Sequence, residues 1–530
     1  MKTEQILKTA SRTKNSILNI FTGFAGQLLT ILLSFISRSV FIKTLGTSYL
    51  GINGLFSDIL SLLSLAELGF DTAISYRLYK PIAEEDDQKV REYLHLFRLI
   101  YNIIGVVVFI IGLALLPFLP KLIKDYDTLA PLGINAAAIF ILFLLQNMST
   151  YLFLAYRSIV IKASQKQYIL DSISFVINIL SNITRIIVLI YTKNFTAYIL
   201  TNTFFLIAQN LVNAIAAKRI YPQYFIRERS MLPREERIDL YKDCGALFVY
   251  KINNVVLKAT DNIVLSSFVG LAIVGLYSNY LMIYQAFYSI LQIMFGAVKA
   301  SMGNLFTSDD VERKYFFFEV MNFITVILYG TAAVGFTSVS NEFISGWLGE
   351  KFVISQPLAL LIGVELLFAG LKLNLAQIRN ISGIFKQMWF RPVIGSVINV
   401  VSSVILVQYW GICGVIMGTI LAAVFANFLV DPGVIHKHSF NDYKSVSYYY
   451  RKNLIFIMIL AAVGAVDYFI CSNLFTGHGY LSVIIHSMIC GLSVPCTFLG
   501  LYRNKPECIY LREKFSEIMA DARRKIRSRL

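Results

Sequence analysis

The sequence predicts an all-α polytopic membrane protein, and three observations carry that prediction. Of 530 residues, 56% are hydrophobic and only 15% are charged, against roughly 45–50% and about 25% in soluble globular chains. Mean hydropathy is +0.64, and apolar surface on that scale needs a solvent other than water, which excludes a soluble enzyme. The apolar residues are gathered into about fourteen stretches, each near the ~20 residues that a bilayer core of about 30 Å requires of a helix. The 40 Phe and 30 Tyr exclude a disordered chain. Six Cys in this length exclude a disulfide scaffold.

In chain order the spans are expected near 16–44, 50–76, 92–119, 128–156, 168–191, 196–218, 243–268, 272–299, 316–346, 353–378, 388–410, 412–435, 453–474 and 480–502. The first follows a basic N-terminus without a small-residue cleavage pattern, so it reads as a retained helix rather than a signal peptide. The first, second and seventh are interrupted by polar residues and are kept because the flanking loops fit. Of the 48 Lys and Arg, 35 fall in the termini and loops of one side, while the other side carries only Lys43, Lys121, Lys124, Lys193 and Lys351. Basic residues mark the cytoplasmic side, so both termini are expected there. The tail after Arg503, ending ARRKIRSRL, reads as a solvated basic segment drawn to anionic headgroups. The six Cys form no C-x-x-C pair, and His436 and His438 are expected in solvent, so neither metal nor cofactor is implied.

An internal repeat organises these spans. LGTSYLGINGLFSDIL at 45–60 aligns with VGLAIVGLYSNYLMIY at 269–284, placing Gly46 on Gly270 and Gly51 on Gly275 at an offset of 224. Val176-Ile177-Asn178 matches Val397-Ile398-Asn399 at an offset of 221, and Asn210-Leu211-Val212 resembles Asn427-Phe428-Leu429. Six spans separate the copies, so each unit is a six-helix lobe, 1–240 with a cytoplasmic inter-lobe loop and 241–440. An even span count gives both lobes one orientation and a pseudo-two-fold along the membrane normal. Two additional helices within 441–502 and the basic tail 503–530 follow.

Polar residues inside the spans form stripes. Lys251, Asn254, Lys258 and Asp261 share one face of the seventh span, and Asp171, Ser174, Asn178, Ser181 and Arg185 share one face of the fifth. A charge at mid-bilayer costs about 2.5–3.5 kcal/mol on insertion scales, so these faces must meet water or one another. For Ser, Thr and Gly, interhelical hydrogen bonding is sufficient reason. Packing does not require a cation, which makes Arg38, Arg185, Lys251, Lys258 and Lys299 the candidate lining of a hydrated cleft that favours an anion. Lys258 and Asp261 are also placed to pair one helical turn apart. Glu67, Asp71, Asp261 and Glu365 are candidate proton or sodium sites, or salt-bridge partners of those cations. No G-x-x-x-x-G-K-[ST] phosphate loop and no triad or zinc spacing is present, so neither ATP-driven transport nor an enzyme is expected.

The stretch GTSYLGINGLFSDILSLLSLAELGFDTAISYRLYKPIAEEDDQKV, with LGF at 68–70 and LYKPIAE at 78–84, resembles the first spans of bacterial polysaccharide repeat-unit flippases. KATDNIVLSSFVGLAIVGLYSNY at 258–280 is similar to the start of their second half. These flippases belong to the multidrug/oligosaccharidyl-lipid/polysaccharide exporter superfamily, and the resemblance covers nearly the whole chain. It implies two six-helix lobes with two extra helices. It also implies transport of an undecaprenyl-pyrophosphate oligosaccharide to the outer leaflet by alternating access, with the pyrophosphate held by cleft cations, Arg38 foremost. The partners it implies are that lipid-linked glycan, membrane lipids, a proton or sodium counter-ion, and the polysaccharide polymerase and glycosyltransferases of the same pathway, with no nucleic acid. A cation-coupled multidrug exporter is the alternative and would place acids at the site. A membrane glycosyltransferase would need a large outward loop, and the loops here are short.

Overall fold

The computed structural model describes residues 26–527 apart from 65–69, 125, 131–132, 153, 165, 227–230, 307–309, 383, 385, 389 and 474–478, and leaves out the side chains of 72, 128, 243, 246–258, 296–306, 386, 518–519 and 521–527. All secondary structure among the described residues is helical. Eleven helices are long and apolar enough to cross a membrane. They correspond to eleven of the expected spans. The expected spans at 50–76, 243–268 and 272–299 coincide with helices outside that set. One of these helices is only 17 residues long, and another carries the Lys251–Asp261 stripe that dilutes its hydropathy.

The chain divides into two compact units, residues 26–278 with 407–415 and residues 279–406 with 416–527. The first unit holds α1 (Gly26–Leu45), α2 (Thr47–Leu63), α3 (Phe70–Ala83), α4 (Asp87–Leu115), the short α5 (Leu119–Leu122), α6 (Ala136–Leu152), α7 (Ser158–Ala163), α8 (Gln167–Thr192), α9 (Phe195–Ile220), α10 (Arg234–Phe268) and the start of α11 (Leu271–Phe306). Caps fix the helix starts: Asp86 accepts from the Lys89 amide at 2.9 Å, and Asn194 accepts from the Ala197 amide at 3.2 Å. Lys193 takes a left-handed conformation (φ 48°) immediately before Asn194, so α8 turns into α9 within two residues and the helices lie antiparallel. Rings of α4 and α6 fill part of the core, with Phe97 and Tyr101 4.3 Å apart and Tyr101 and Tyr151 5.7 Å apart.

The repeated glycines have a structural purpose. Gly46 (φ 86°) separates α1 from α2, and Gly270 (φ 122°) separates α10 from α11; both angles favour a residue without Cβ. A Cβ on Gly51 would overlap the Leu271 carbonyl, and one on Gly275 would overlap the Thr47 carbonyl. Thr47 and Leu271 are themselves 224 residues apart, so the two contacts exchange under the repeat offset. Helix backbones in membranes approach this closely only over small residues.

The second unit holds the rest of α11, then α12 (Val311–Leu348), α13 (Gln356–Ser382), α14 (Arg391–Trp410), α15 (Ile412–Ala422), a π turn at Ala423–Phe428, α16 (Asp431–Ser439), α17 (Val446–Asn473), α18 (Tyr480–Leu501) and α19 (Pro506–Arg527). The long α12 is its centre and packs on α13, α17, α18 and α19. Phe323, Phe456, Phe498 and Tyr502 tie α12, α17 and α18 together through ring contacts of 5.3–6.2 Å. One sequence expectation is corrected here. His436 is fully buried, its Nδ1 2.8 Å from the Pro432 carbonyl and its ring edge-on to Tyr315, Phe318 and Phe440. An imidazole with one satisfied nitrogen and an aromatic body fits a helix end packed among rings, so the helix-end position did not imply solvent. His438 is exposed, as expected.

Candidate functional site

Two arginines of the first unit converge on one tyrosine. Arg185 of α8 donates from Nη1 to the Tyr198 hydroxyl at 3.2 Å and from Nη2 to Asn182 Oδ1 at 2.8 Å, and its guanidinium lies 5.5 Å from the Tyr198 ring centre. The short Lys193–Asn194 turn brings Tyr198 of α9 opposite Arg185. Tyr198 also packs edge-on against Phe41 of α1 at 5.1 Å, one turn beyond Arg38, and lies within electrostatic reach of Arg38. Arg38 donates from Nη1 to Ser278 Oγ of α11 at 2.9 Å, and Ser278 in turn donates to the Gly275 carbonyl at 2.8 Å.

The two cations differ in what they have left. A guanidinium carries five N–H donors. Arg185 directs its donors to Tyr198, Asn182 and, at 3.4 Å, the Ser181 carbonyl, so it braces the α8–α9 pair. Among the described residues Arg38 has only Ser278 as acceptor, and neither arginine forms an ion pair with a described carboxylate. Arg38, Arg185 and Ser278 each lie seven residues, about 10 Å, from the helix end nearest the Gly46, Gly270 or Lys193 turn. They therefore share one depth. Half-buried Arg38, with donors to spare and no ion pair among the described residues, can grip an anion through two parallel N–H bonds.

The remaining sequence candidates separate. Asp71 of α3 is ion-paired with Lys162 of α7, a cation outside the expected cleft set. Asp261 is buried and engaged within the protein, next to Asn262, which donates to Asp58 of α2. Glu365 of α13 accepts from the Tyr284 hydroxyl of α11. Glu67 and the side chains of Lys251, Lys258 and Lys299 lie outside the described residues, and with them the expected Lys258–Asp261 pair. Within the α8 stripe, Ser174 accepts from Gln209 of α9 at 2.8 Å and joins the two helices, while Asp171 and Asn178 are exposed.

Three polar clusters of the second unit escaped sequence reasoning. Asp431 (0% exposed) pairs with Arg379 (4%) at 3.6 Å and Arg391 (5%) at 3.2 Å, and Arg391 also donates to Asn427 in the π turn. His486 of α18 lies 2.7 Å from Glu342 of α12, while Ser493 of α18 donates to Asp467 of α17. Lys452 of α17 bridges Glu319 of α12 at 3.0 Å to Glu507 of α19. A single carboxylate in an otherwise apolar span, such as Asp431 or Asp467, was the signal available for the first two. The sequence does not name their partners.

Residues 24–190 match the MatE family model. The chain is similar to the structure of the lipid II flippase MurJ in an inward closed conformation, with a TM-score of 0.64 and 14% identity, covering 91% of this chain and 99% of that one. It is also similar to an inward-facing multidrug resistance MATE family transporter of the MOP superfamily, with a TM-score of 0.57 and 14% identity over 78% of this chain and 96% of the other. A third similarity is to the Vibrio cholerae MATE transporter VcmN, at 0.53 and 14% identity over 83% and 100%. The chain shares the fold of these three structures. No curated protein sequence matches the chain significantly. With that fold and eleven apolar helices, the chain is a multi-pass membrane protein.

Proposed function

We propose that this protein is a flippase that moves an undecaprenyl-pyrophosphate oligosaccharide from the cytoplasmic to the outer leaflet for cell-surface polysaccharide synthesis. The observation that carries the reading is Arg38, a membrane-embedded guanidinium with donors to spare and, among the described residues, no carboxylate paired with it. A pyrophosphate brings paired anionic oxygens that match Arg's planar fork. Arg185, locked on Tyr198, adds positive potential at the same depth and keeps the wall rigid. The charge distribution of the loops puts the Gly46 and Lys193 turns on the outer side. Arg38 then lies in the outer part of the span, where it receives the headgroup as the protein opens outward and releases it to water. Lys251, Lys258 and Lys299 are further candidate cations in this proposal. Similarity to a lipid II flippase, together with the LYKPIAE and GLYSNY stretches, supports a lipid-linked substrate over a free one. Both termini are placed in the cytoplasm.

The test is a flipping assay in liposomes with an undecaprenyl-pyrophosphate oligosaccharide, following exposure of the sugar to an outside-only reagent. Acceleration that Arg38→Ala abolishes is expected. Folded, inserted protein that gives no acceleration under imposed proton or sodium gradients overturns the reading. The alternative, a cation-coupled drug exporter, draws on the Tyr284–Glu365 hydrogen bond inside an apolar helix pair. It predicts drug resistance on expression that Glu365→Gln removes, without flipping.

A further inference from the structure

A cavity of about 750 Å³ opens in the second unit where α12 and α17 begin and α18 turns into α19. The charge distribution of the sequence assigns this end to the cytoplasm. Five basic and four acidic side chains line it, a near balance that hides a strong asymmetry. Every acid is committed. Glu319 accepts from Lys444 at 3.1 Å and Lys452 at 3.0 Å, and Glu507 accepts from Lys452. Asp310 caps α12 by accepting from the Arg313 amide at 2.9 Å, and Glu312 is hydrogen-bonded by the Tyr443 hydroxyl. Lys444 and Lys452 are the cations these acids use. Arg313, Arg451 and Lys505 are exposed at the rim and form no ion pair with any described residue.

The walls are aromatic, formed by Tyr315, Phe316, Tyr448 and Tyr502. Amphipathic rings and basic side chains at helix ends belong at the level of lipid headgroups. One wall residue, Ile455, continues directly into an exposed apolar strip of α17, with Leu454 57% and Met458 55% exposed. A cavity with three uncommitted cations at its mouth and an apolar track leading from it suits a phosphate ester attached to acyl chains. We infer that this cavity binds the headgroup of an anionic phospholipid, its phosphate held by Arg313, Arg451 and Lys505 and its chains lying along α17. The site is independent of the transported substrate and of the flippase reading.

The test uses the purified full chain in neutral detergent, titrated with phosphatidylglycerol, phosphatidylcholine and inorganic phosphate, with binding followed by native mass spectrometry. Saturable binding of phosphatidylglycerol over phosphatidylcholine is expected. In a chain carrying R313A, R451A and K505A, that binding is expected to weaken on the order of a hundredfold, about fivefold for each cation removed from near the membrane surface. A control carrying R503A and R512A, basic residues outside the cavity, should bind as the parent does. All three rim side chains are exposed, so the folded state is expected to survive their loss, and the unchanged thermal midpoint of the variant checks this. Inorganic phosphate that displaces the lipid at millimolar concentration would reassign the site to a free anion. Equal weakening in the rim variant and the control would overturn it.

Discussion

Arg38 and Ser278 are joined by one hydrogen bond of 2.9 Å across 240 residues of sequence, and that single bond leaves the arginine most of its donors. Arg185, at the same depth, is hydrogen-bonded on every side. Their substitutions should therefore separate. Arg38→Ala is expected to abolish flipping while the thermal midpoint stays close to the parent's. Arg185→Ala is expected to lower stability by about 1.5–3 kcal/mol, the worth of hydrogen bonds to a charged group, with transport falling as the α8–α9 pair loosens. Thermal unfolding and flipping measured on both variants check this. Lys258→Ala is expected to lose transport, and neutralising Arg524 and Arg527 in the tail to do little.

The glycine contact between α2 and α11 can be tested by one methyl group. Gly51→Ala and Gly275→Ala each drive a Cβ into a backbone carbonyl that cannot rotate away. Overpacking of this kind costs about 1–3 kcal/mol. Gly245→Ala, on α10 with no atom of the described residues within 4 Å of its Cβ position, should instead gain a few tenths to ~1 kcal/mol from helix propensity. Opposite shifts in unfolding midpoint are the expected result.

Asp431 offers the largest single-residue effect. It is fully buried between Arg379 and Arg391, and removing one partner of a buried ion pair typically costs about 3–5 kcal/mol because charge is left behind in low dielectric. Asp431→Ala should therefore unfold at a clearly lower temperature than Asp71→Ala, whose pair with Lys162 is partly exposed and worth about 0–1 kcal/mol.

Docking of α19 should depend on pH in a defined direction. Burial alone would raise the Glu507 carboxyl, but the hydrogen bond and charge of Lys452 outweigh it and hold the group below its ordinary value of 4.5. A carboxylate lowered in the folded state stabilises above its unfolded value and loses that contribution as pH falls through the folded one. Hydrogen exchange over residues 506–517 should stay slow from neutrality down to the ordinary glutamate range and quicken only below it. Glu507→Gln should exchange fast at neutral pH, with the acid transition gone.

Eleven spans and the turn glycines were legible in the sequence because each rests on a local property: apolar length or a repeated motif. Partners were not. Lys452 and Glu507 lie 55 residues apart and Arg379 and Asp431 lie 52 apart, so hydropathy registers each charge without the counter-charge that cancels it. Arg379 reads as a basic loop residue for that reason, although it is buried at the end of α13. His436 failed differently, since a helix-end position carries no information about the four aromatic rings that surround it. The π turn at Ala423–Phe428, which presents Asn427 to Arg391, has no apolar period to reveal it.

The Gly51 and Gly275 contacts consist of backbone oxygen against the absence of a side chain. Such a joint offers natural variation nothing to adjust: every neighbouring side chain can be exchanged, yet neither glycine can be replaced without separating the helices. On the proposed duplication, two copies of one segment can thus drift until little besides this joint betrays their common origin. In any descendant of the duplication, the pair should be lost together or kept together.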